Sequence, residues 1–182
     1  MNNSTFHTAT ILLGSNLGNK LKLLNEAMNS LSSIGDVVRY SSIYESPAWG
    51  FKAETTFYNA VVVLSTSIDC FTLMEKCLSI EKELGRERAT DSTNTKDKDS
   101  TYSSRNIDID ILDFDNKIVT TDNLILPHPR LHLRRFTLIP LAEVSPLWRH
   151  PKLGLAARDL LDECPDKGEV TLLTDASLYL KK

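Results

Sequence analysis

Apolar residues along this chain follow two spacings, one typical of strands and one typical of helices. Residues 8–13 form a short apolar run that ends at a glycine and predicts a strand. A helix should follow and close at Gly35, because apolar residues then recur every three or four positions. Residues 37–44 predict a second strand, which ends before Pro47 and Gly50 break the chain. The helical stripe consists of Leu21, Leu24, Met28 and Leu31.

The next stretch of chain repeats this alternation. Residues 57–65 are rich in valine and predict a third strand. Asp69 is placed to cap a helix that ends near Gly85. Residues 107–114 predict a fourth strand, which turns at an Asp-Asn pair into a short partner at 117–119. The apolar stripe of this second helix consists of Phe71, Met74 and Leu78.

The predicted order is strand, helix, strand, strand, helix, strand. This order indicates an α+β fold with a ferredoxin-like (βαββαβ) antiparallel sheet, with helices on one face and the other face free for a ligand. Beyond the short β-hairpin we expect C-terminal helices at 134–143 and 155–164 and a last strand at 169–173. Because 182 residues is a usual size for one domain, we interpret residues 1–182 as a single domain.

One segment, residues 89–104, has the composition of neither a strand nor a helix. It consists almost wholly of Thr, Ser, Asp, Asn and Lys, and Tyr102 is its only aromatic residue. Such a segment buries too little apolar area to offset the entropy that it loses on ordering. Because it lies between two basic clusters, we interpret it as a flexible lid insertion, with a passive surface insertion as the alternative.

Net charge and cysteine usage narrow the range of functions. The formal net charge of -3 argues against a nucleic-acid partner, since such surfaces are normally basic. No apolar run approaches the roughly 20 residues of a membrane span, and the first residues do not resemble a signal peptide. The three cysteines lack C-x-x-C spacing, so we expect small buried residues in a reduced, cytoplasmic protein rather than disulfides or a zinc site.

The predicted strand at 107–114 carries the sharpest chemical signal. Because side chains alternate across a strand, its isoleucines share one face, and Asp108 and Asp110 share the other with Cα atoms roughly 6.5 Å apart. Two like charges side by side repel, so something should compensate them. Mg²⁺ prefers carboxylate and phosphate oxygens, and two ions sharing this pair would clamp a polyphosphate. A solvated face near a sheet edge is the alternative that the pattern leaves open.

Arginines bracket these aspartates in the sequence. A planar guanidinium donates two parallel hydrogen bonds, which suits phosphate oxygens. In a net acidic protein this clustering favours a phosphate site, although Arg130 and Arg135, taken singly, are more typical of surface charge. His128 stands between two prolines, where it would donate to a phosphate or an adenine edge or be satisfied by local backbone. The bracketing residues are Arg86, Arg88, Arg105, Arg130, Arg134 and Arg135.

The second helix and the third strand each carry residues that allow either a structural or a functional interpretation. Glu81 falls on the apolar stripe of the second helix, where it should face an arginine or a ligand hydroxyl, unless the helix end curls into solvent. The third strand places Phe57 and Asn59 on one face, where a ring would stack on a flat heterocycle and an amide would read its edge. Trp49 and Phe136 are further aromatic candidates, although an aromatic residue is more often part of the core.

The turn after the first strand, residues 14–18, contains two glycines. It lacks the GxxxxGK(S/T) pattern and therefore does not indicate a phosphate-binding loop. We expect this turn to serve the chain geometry, with Asn16 capping the first helix.

Taken in order, these motifs resemble the 6-hydroxymethyl-7,8-dihydropterin pyrophosphokinases of folate synthesis. The resemblance runs from about residue 10 to residue 146, and its most specific part is the Arg-x-x-Asp-x-Asp-Ile-Leu motif at 105–112. It implies a ferredoxin-like fold and transfer of pyrophosphate from ATP to the dihydropterin hydroxymethyl group, with release of AMP. The other matching motifs are Gly14-Ser15-Asn16-Leu17, Tyr44-Glu45-Ser46-Pro47, Phe57-Tyr58-Asn59-Ala60, Ile80-Glu81, Gly85-Arg86-Glu87-Arg88, Pro127-His128-Pro129-Arg130 and the segment 134–141.

The resemblance also implies roles for individual residues. Asp108 and Asp110 would bind two Mg²⁺ ions, and Arg88 and Arg105 would act with them in catalysis. ATP would be bound by Glu81, Arg88, Arg105, His128 and Arg134. Two phenylalanine rings would sandwich the pterin while an asparagine reads its amide edge; the implied pterin residues are Ser46, Pro47, Trp49, Phe57, Asn59 and Phe136.

Two other functions stay open from the sequence. A metal-dependent nucleotide hydrolase would use the same carboxylates with water in place of the pterin. An RNA-binding module is disfavoured by the acidic charge and by the missing aromatic RNP signature. For the pyrophosphokinase we expect ATP and the dihydropterin as ligands, no nucleic-acid or membrane partner, and a monomer.

Overall fold

The computed structural model describes residues 5–85 and 105–174, so the segment interpreted as a lid lies outside the described residues. None of the helices in these two stretches is long and apolar enough to cross a bilayer. A 3₁₀ turn, Leu131–Leu133, precedes the third helix. In chain order the elements are β1 (His7–Ser15), α1 (Lys20–Leu31), β2 (Asp36–Tyr40), β3 (Ile43–Ser46), β4 (Phe57–Thr66), α2 (Cys70–Glu83), β5 (Asp108–Phe114), β6 (Val119–Thr120), β7 (Ile125–Leu126), α3 (Arg135–Val144), α4 (Ala157–Glu163) and β8 (Thr171–Thr174).

Six strands of the described chain form one antiparallel sheet. Their order is β5-β1-β4-β3-β8, and β2 pairs with β4. The two β-α-β units interlock: β4 lies between β1 and the β2–β3 segment, and β1 lies between β4 and β5. This arrangement confirms the ferredoxin-like α+β prediction. The C-terminal helices and β8 lie close to their predicted boundaries.

Helix α2 buries a face that differs from the one predicted. Its start is as expected, because Asp69 caps it by accepting the N–H groups of Phe71 and Thr72 at 2.9 and 3.1 Å. Phe71 itself is 47% exposed, whereas Leu73 and Cys77 are fully buried. The predicted stripe through Phe71 is therefore wrong, and the buried face is the one on which small cysteines serve as apolar residues.

The predicted second strand, 37–44, is in fact two strands. It breaks at Ser41, whose N–H donates to the Val61 carbonyl at 2.8 Å and whose Oγ accepts the Val61 N–H at 2.9 Å. The next residue, Ser42, donates its N–H and its hydroxyl to the carboxylate of Glu143 on α3 at 3.0 and 2.9 Å. Side-chain hydrogen bonds replace part of the ladder here, and the prediction of one continuous strand is wrong.

The chain turns after β5 where the Asp-Asn pair predicts it. Both residues have left-handed backbone, with φ of 52° and 55°, and Lys117 N–H donates to the Phe114 carbonyl at 2.9 Å. The chain does not return along β5, however, because β6 pairs with β7. The prediction that residues 117–119 pair with the fourth strand is therefore wrong, and the hairpin is a separate two-stranded sheet.

Apolar side chains cover both faces of the sheet. On one face α1 and α2 pack around Leu24 and Leu73. On the other face α3 and α4 pack around Leu138 and Leu160, which share a buried cluster with Val61 of β4. The face expected to be free for a ligand is therefore partly closed by the C-terminal helices.

All three cysteines are free and buried, as predicted. Cys70, Cys77 and Cys164 are 6%, 0% and 1% exposed. Burial raises the pKa of the Cys77 thiol to about 12, because a thiolate is costly in apolar surroundings. Each cysteine therefore serves as a small apolar side chain.

The orientation of α2 can be tested with two truncations on the same helix. We expect Leu73→Ala to lower the free energy of unfolding by about 3 kcal/mol, because it leaves a cavity in a packed site. Phe71→Ala should lower it by less than about 1 kcal/mol, because that ring is half exposed. Urea unfolding followed by circular dichroism measures both values. A larger loss for Phe71→Ala would contradict the helix orientation described here.

Candidate active site

An open cleft lies at one end of the sheet, where β1, β4 and β5 meet the loop after β3. Every lining residue apart from Leu12, Gly14 and Phe51 belongs to the site predicted from the sequence. The fold thus brings most of the predicted metal, nucleotide and pterin residues to one cavity. The lining residues are Leu12, Gly14, Ser46, Pro47, Trp49, Phe51, Phe57, Asn59, Arg105, Asp108, Asp110, Arg134 and Phe136.

Strand β5 presents its two aspartates to this cleft as the alternation predicts. Asp108 pairs with Gly14 of β1, and Asp110 pairs with Leu12. Their side chains are 22% and 32% exposed. Ile109, which lies between them, is 3% exposed and packs in the core on the opposite face. The apolar half of the strand therefore anchors a charged half that faces the cavity.

Three nitrogen-bearing side chains surround the aspartates. Arg105 Nη1 lies 2.7 Å from Asp108 Oδ2. Arg134 Nη1 and His128 Nε2 lie 3.8 and 3.9 Å from Asp110 Oδ2. The structure thus places three of the predicted nucleotide-binding residues directly beside the carboxylate pair.

Asp110 occupies an electrostatically unfavourable position. Burial, followed by the charge of Asp108, raises its pKa to about 7, although Arg134 and Arg105 act in the opposite direction. A carboxylate shifted this far is typical of a functional site. A cation beside the pair would relieve the repulsion that contributes to the shift.

His128 is held by backbone on one side and faces a carboxylate on the other. Its backbone N–H donates to the Leu112 carbonyl at 2.8 Å, and its ring Nδ1 accepts the Arg130 backbone N–H at 3.2 Å. Burial, and then the charge of Arg134, lower the pKa of His128 to about 4. The ring is therefore neutral, with its proton on Nε2 toward Asp110. Local backbone thus satisfies Nδ1, as one alternative predicted, whereas donation from Nε2 to a phosphate or an adenine edge stays a prediction.

The guanidinium of Arg134 lies close to two aromatic rings. Its Cζ is 5.0 Å from the centroid of the Trp49 ring and 5.6 Å from that of Phe136. Trp49 belongs to the loop after β3, and Phe136 belongs to the first turn of α3. Both rings are therefore within cation-π distance of the same guanidinium.

Asn59 and its neighbours form the floor of the cleft. The Asn59 amide Nδ2 donates to Ser46 Oγ at 2.9 Å, and both residues are buried. A Cβ placed on Gly14 would lie 3.4 Å from Asn59 Oδ1, so the amide oxygen borders the floor that the glycine keeps open. The Phe57 ring meets the edge of Phe51 with centroids 6.1 Å apart. The amide is thus fixed in one orientation beside an aromatic wall.

Glu81 is buried rather than solvated. It is 2% exposed, and its Oε1 accepts the backbone N–H of Ile109 at 2.8 Å. The alternative in which the end of the helix curls into solvent is therefore wrong. One partner is the backbone between the two aspartates, which the sequence pattern did not predict. The assignment of Glu81 to nucleoside binding stays a prediction.

Some predicted residues fall elsewhere. Arg88 lies outside the described residues, so its predicted catalytic and nucleotide-binding roles stay predictions. Arg130 is exposed, in agreement with ordinary surface charge. Arg135 donates its N–H to Asp166 Oδ2 at 3.1 Å, at the start of α3.

Sequence reasoning also missed functional neighbours. Asn16 does not cap α1; Asn19 does, by accepting the Lys22 N–H at 3.1 Å. Gly14 continues β1 rather than starting a turn, and its two-residue spacing from Leu12 was the available signal. Phe51 follows a glycine in a loop without periodicity, so nothing in the sequence placed it at the cleft.

The acidic pair fits Mg²⁺ only together with other oxygen ligands. The part of the chain that the structure describes holds no cluster of three His, Cys, Asp or Glu side chains suited to a metal ion. Mg²⁺ needs a near-octahedral shell of oxygens and commonly completes it with phosphate and water. Asp108 and Asp110 therefore fit ions that arrive with a polyphosphate, rather than a preformed protein cage.

The buried contact of Glu81 can be tested through stability. Glu81→Ala leaves the Ile109 N–H without its acceptor and should lower the free energy of unfolding by about 2 kcal/mol. Glu81→Gln keeps an oxygen at the same place and should cost less than half as much. Glu75→Ala, at an exposed position of α2, is the matched control. Chemical denaturation measures all three, and equal effects of the two Glu81 variants would contradict the role of the hydrogen bond.

A protein-family model described as 7,8-dihydro-6-hydroxymethylpterin-pyrophosphokinase (HPPK) matches residues 10–146. Among curated relatives, the folic acid synthesis protein fol1 of Pneumocystis carinii is 38% identical over 157 residues. That match covers 86% of this chain and 20% of fol1, so the chain spans a fifth of that protein.

Bacterial relatives match over most of their own length. The 2-amino-4-hydroxy-6-hydroxymethyldihydropteridine pyrophosphokinase of Aquifex aeolicus is 34% identical over 144 residues, which is 79% of this chain and 84% of that protein. The enzyme of the same name from Bacillus subtilis is 38% identical over 138 residues, covering 75% of this chain and 77% of that protein.

Solved structures of similar fold come from longer chains. A triple mutant of Plasmodium falciparum HPPK-DHPS with SDX-DHP has a TM-score of 0.68 at 17% identity, covering 89% of this chain and 45% of that one. The wild-type protein with pteroate has a TM-score of 0.66 at 17% identity, covering 87% and 42%. At this identity the likeness concerns the fold alone. The family model and the bacterial relatives show that the chain belongs to the 7,8-dihydro-6-hydroxymethylpterin-pyrophosphokinase family.

Proposed function

We propose that this chain transfers the terminal diphosphate of ATP to the hydroxymethyl group of 6-hydroxymethyl-7,8-dihydropterin and releases AMP, a step of folate biosynthesis. The observation that carries this proposal is the composition of one cleft. A carboxylate pair with arginines lines this cleft and forms what we call its donor half, and aromatic and amide side chains line it as well and form its acceptor half. A diphosphotransferase needs both an anion-binding half and an acceptor-binding half within reach of each other.

The acceptor half suits a flat heterocycle with an amide edge. Because Asn59 Nδ2 already donates to Ser46, its Oδ1 is left to accept an N–H from the pterin. Phe57 and Phe136 supply ring faces for stacking. Pro47 and Trp49 complete the wall as lining residues.

The donor half suits a triphosphate. Arg105 and Arg134 lie beside the aspartates, where each guanidinium can transfer its hydrogen bonds from carboxylate to phosphate oxygens. Neutral His128 offers its Nε2–H without adding charge. We assign Glu81 and Arg88 to the nucleotide as well, on the strength of the family motif.

Asp108 and Asp110 would hold two Mg²⁺ ions together with phosphate oxygens. When bound, these ions would neutralise charge on the phosphates and acidify the attacking hydroxyl. Arg105 and Arg134 stabilise the negative charge that develops on the transferred and leaving phosphates. The acceptor pocket points the hydroxymethyl oxygen at the β-phosphorus, so the new O–P bond forms as the bond to the bridging oxygen of AMP breaks.

Product analysis tests the proposed reaction. Purified protein, ATP, Mg²⁺ and the dihydropterin should yield one AMP for each pterin diphosphate, and AMP should not accumulate without the pterin. ADP and phosphate released in the absence of pterin would instead support the nucleotide hydrolase.

The role of the acidic pair can be tested at Asp110. Asp110→Asn should lower kcat/KM by at least about 100-fold, because it removes the anionic oxygen that would hold Mg²⁺ beside the phosphates. Asp122→Asn, at an exposed position of the β6–β7 turn, is the matched control and should retain activity. Near-normal turnover of Asp110→Asn at saturating Mg²⁺ would contradict the metal assignment.

The stacking role of Phe136 predicts a selective loss. Phe136→Ala should weaken pterin binding by about tenfold, because a stacked ring contributes on the order of 1 kcal/mol beyond its buried area. Its effect on binding of a non-hydrolysable ATP analogue should stay below about threefold. Isothermal titration calorimetry measures both, and losses of similar size would contradict stacking. Phe71→Ala, on the opposite face of the sheet, serves as the control.

A further inference from the structure

Asn16 is a buried polar residue that joins two distant parts of the chain. It is 1% exposed. Its side-chain Oδ1 accepts the Arg105 N–H at 2.8 Å, and its own N–H donates to the Arg105 carbonyl at 3.2 Å. Both backbone groups of one residue are thus held by one residue that lies 89 positions away.

The same asparagine also contacts the segment before β4. Its Nδ2 donates to Thr55 Oγ1 at 3.2 Å, and the Thr55 hydroxyl donates to the Asn16 carbonyl at 2.7 Å. Thr55 precedes Phe57, which begins β4 and lines the acceptor half of the cleft. The asparagine therefore connects the acceptor half with the chain that enters β5.

Arg105 is the residue on which this arrangement acts. Its guanidinium Nη1 lies 2.7 Å from Asp108 Oδ2, and its side chain is 12% exposed. A guanidinium on a flexible stem reaches a given phosphate only if its Cα is held in place. The two hydrogen bonds between Asn16 and the Arg105 backbone fix that Cα relative to β1, which itself pairs with β5.

We propose that Asn16 is a positioning residue of the transfer reaction: it holds the Arg105 backbone so that the guanidinium meets the transferred phosphates beside Asp108. The inference rests on the proposed function for its catalytic consequence. The contact between Asn16 and the Arg105 backbone does not depend on the proposed function and can be measured without substrate.

A buried asparagine that satisfies local backbone is the competing explanation. In that case its loss would lower stability, and any loss of activity would be independent of Arg105. Thr66 provides a matched control, because it is 1% exposed, its hydroxyl donates to the Ile34 carbonyl at 2.6 Å, and it lies at the opposite end of β4.

A double-mutant cycle separates the two explanations. Asn16→Ala should lower kcat by about 30-fold, because misplacing a catalytic group by a fraction of an ångström to 1 Å costs one to two orders of magnitude. In an Arg105→Ala background the same substitution should lower kcat by less than about threefold. The KM for the pterin should change little in both. Thr66→Val should lower the melting temperature about as much as Asn16→Ala and leave kcat unchanged.

Hydrogen exchange provides a readout that needs no activity. The Arg105 amide should exchange much faster in Asn16→Ala than in the wild type, as a direct consequence of the lost acceptor.

The outcomes are distinguishable. Equal factors for Asn16→Ala in both backgrounds, or unchanged protection of the Arg105 amide, would overturn the positioning role. If the Arg105 amide exchanges faster in Asn16→Ala but the wild type makes no AMP from ATP and the dihydropterin, Asn16 still positions the Arg105 backbone. The catalytic role of that contact and the proposed function would then both be overturned.

Discussion

The repulsion between Asp108 and Asp110 is the constraint around which this end of the molecule is built. Two carboxylates on one face of a strand are unfavourable unless the strand is held by other means. Here the opposite face is anchored by buried isoleucines, and Glu81 secures the backbone between the aspartates. Arg105 and Arg134 then supply positive charge. Core packing and the two arginines thus offset the repulsion between the carboxylates.

Local periodicity was sufficient to predict much of this arrangement. The two-residue alternation of β5 depends on backbone geometry alone, so the sequence placed Asp108 and Asp110 together and set them opposite the core. The order of strands and helices likewise determined the ferredoxin-like topology. These features are encoded within short windows of sequence, where neighbouring residues decide the outcome.

The sequence-based predictions were wrong where a residue distant in the chain determines the local structure. The second strand breaks because Ser41 and Ser42 bond to Val61 and Glu143, which periodicity does not reveal. Helix α2 is rotated because its cysteines, not Phe71, face the sheet. Asn16 looked like a helix cap, since its partner lies beyond a long polar segment. Long-range hydrogen bonds of this kind leave no mark on local composition.

The position of β5 at the edge of the sheet has a consequence for solubility. An edge strand exposes backbone groups that invite pairing with a strand of another molecule, and inward-pointing charges discourage such association. On β5 the Ile109 N–H is taken by Glu81 and the Leu112 carbonyl by the His128 N–H. Glu81 and His128 therefore leave fewer backbone groups of this margin open to pairing with a strand of another molecule.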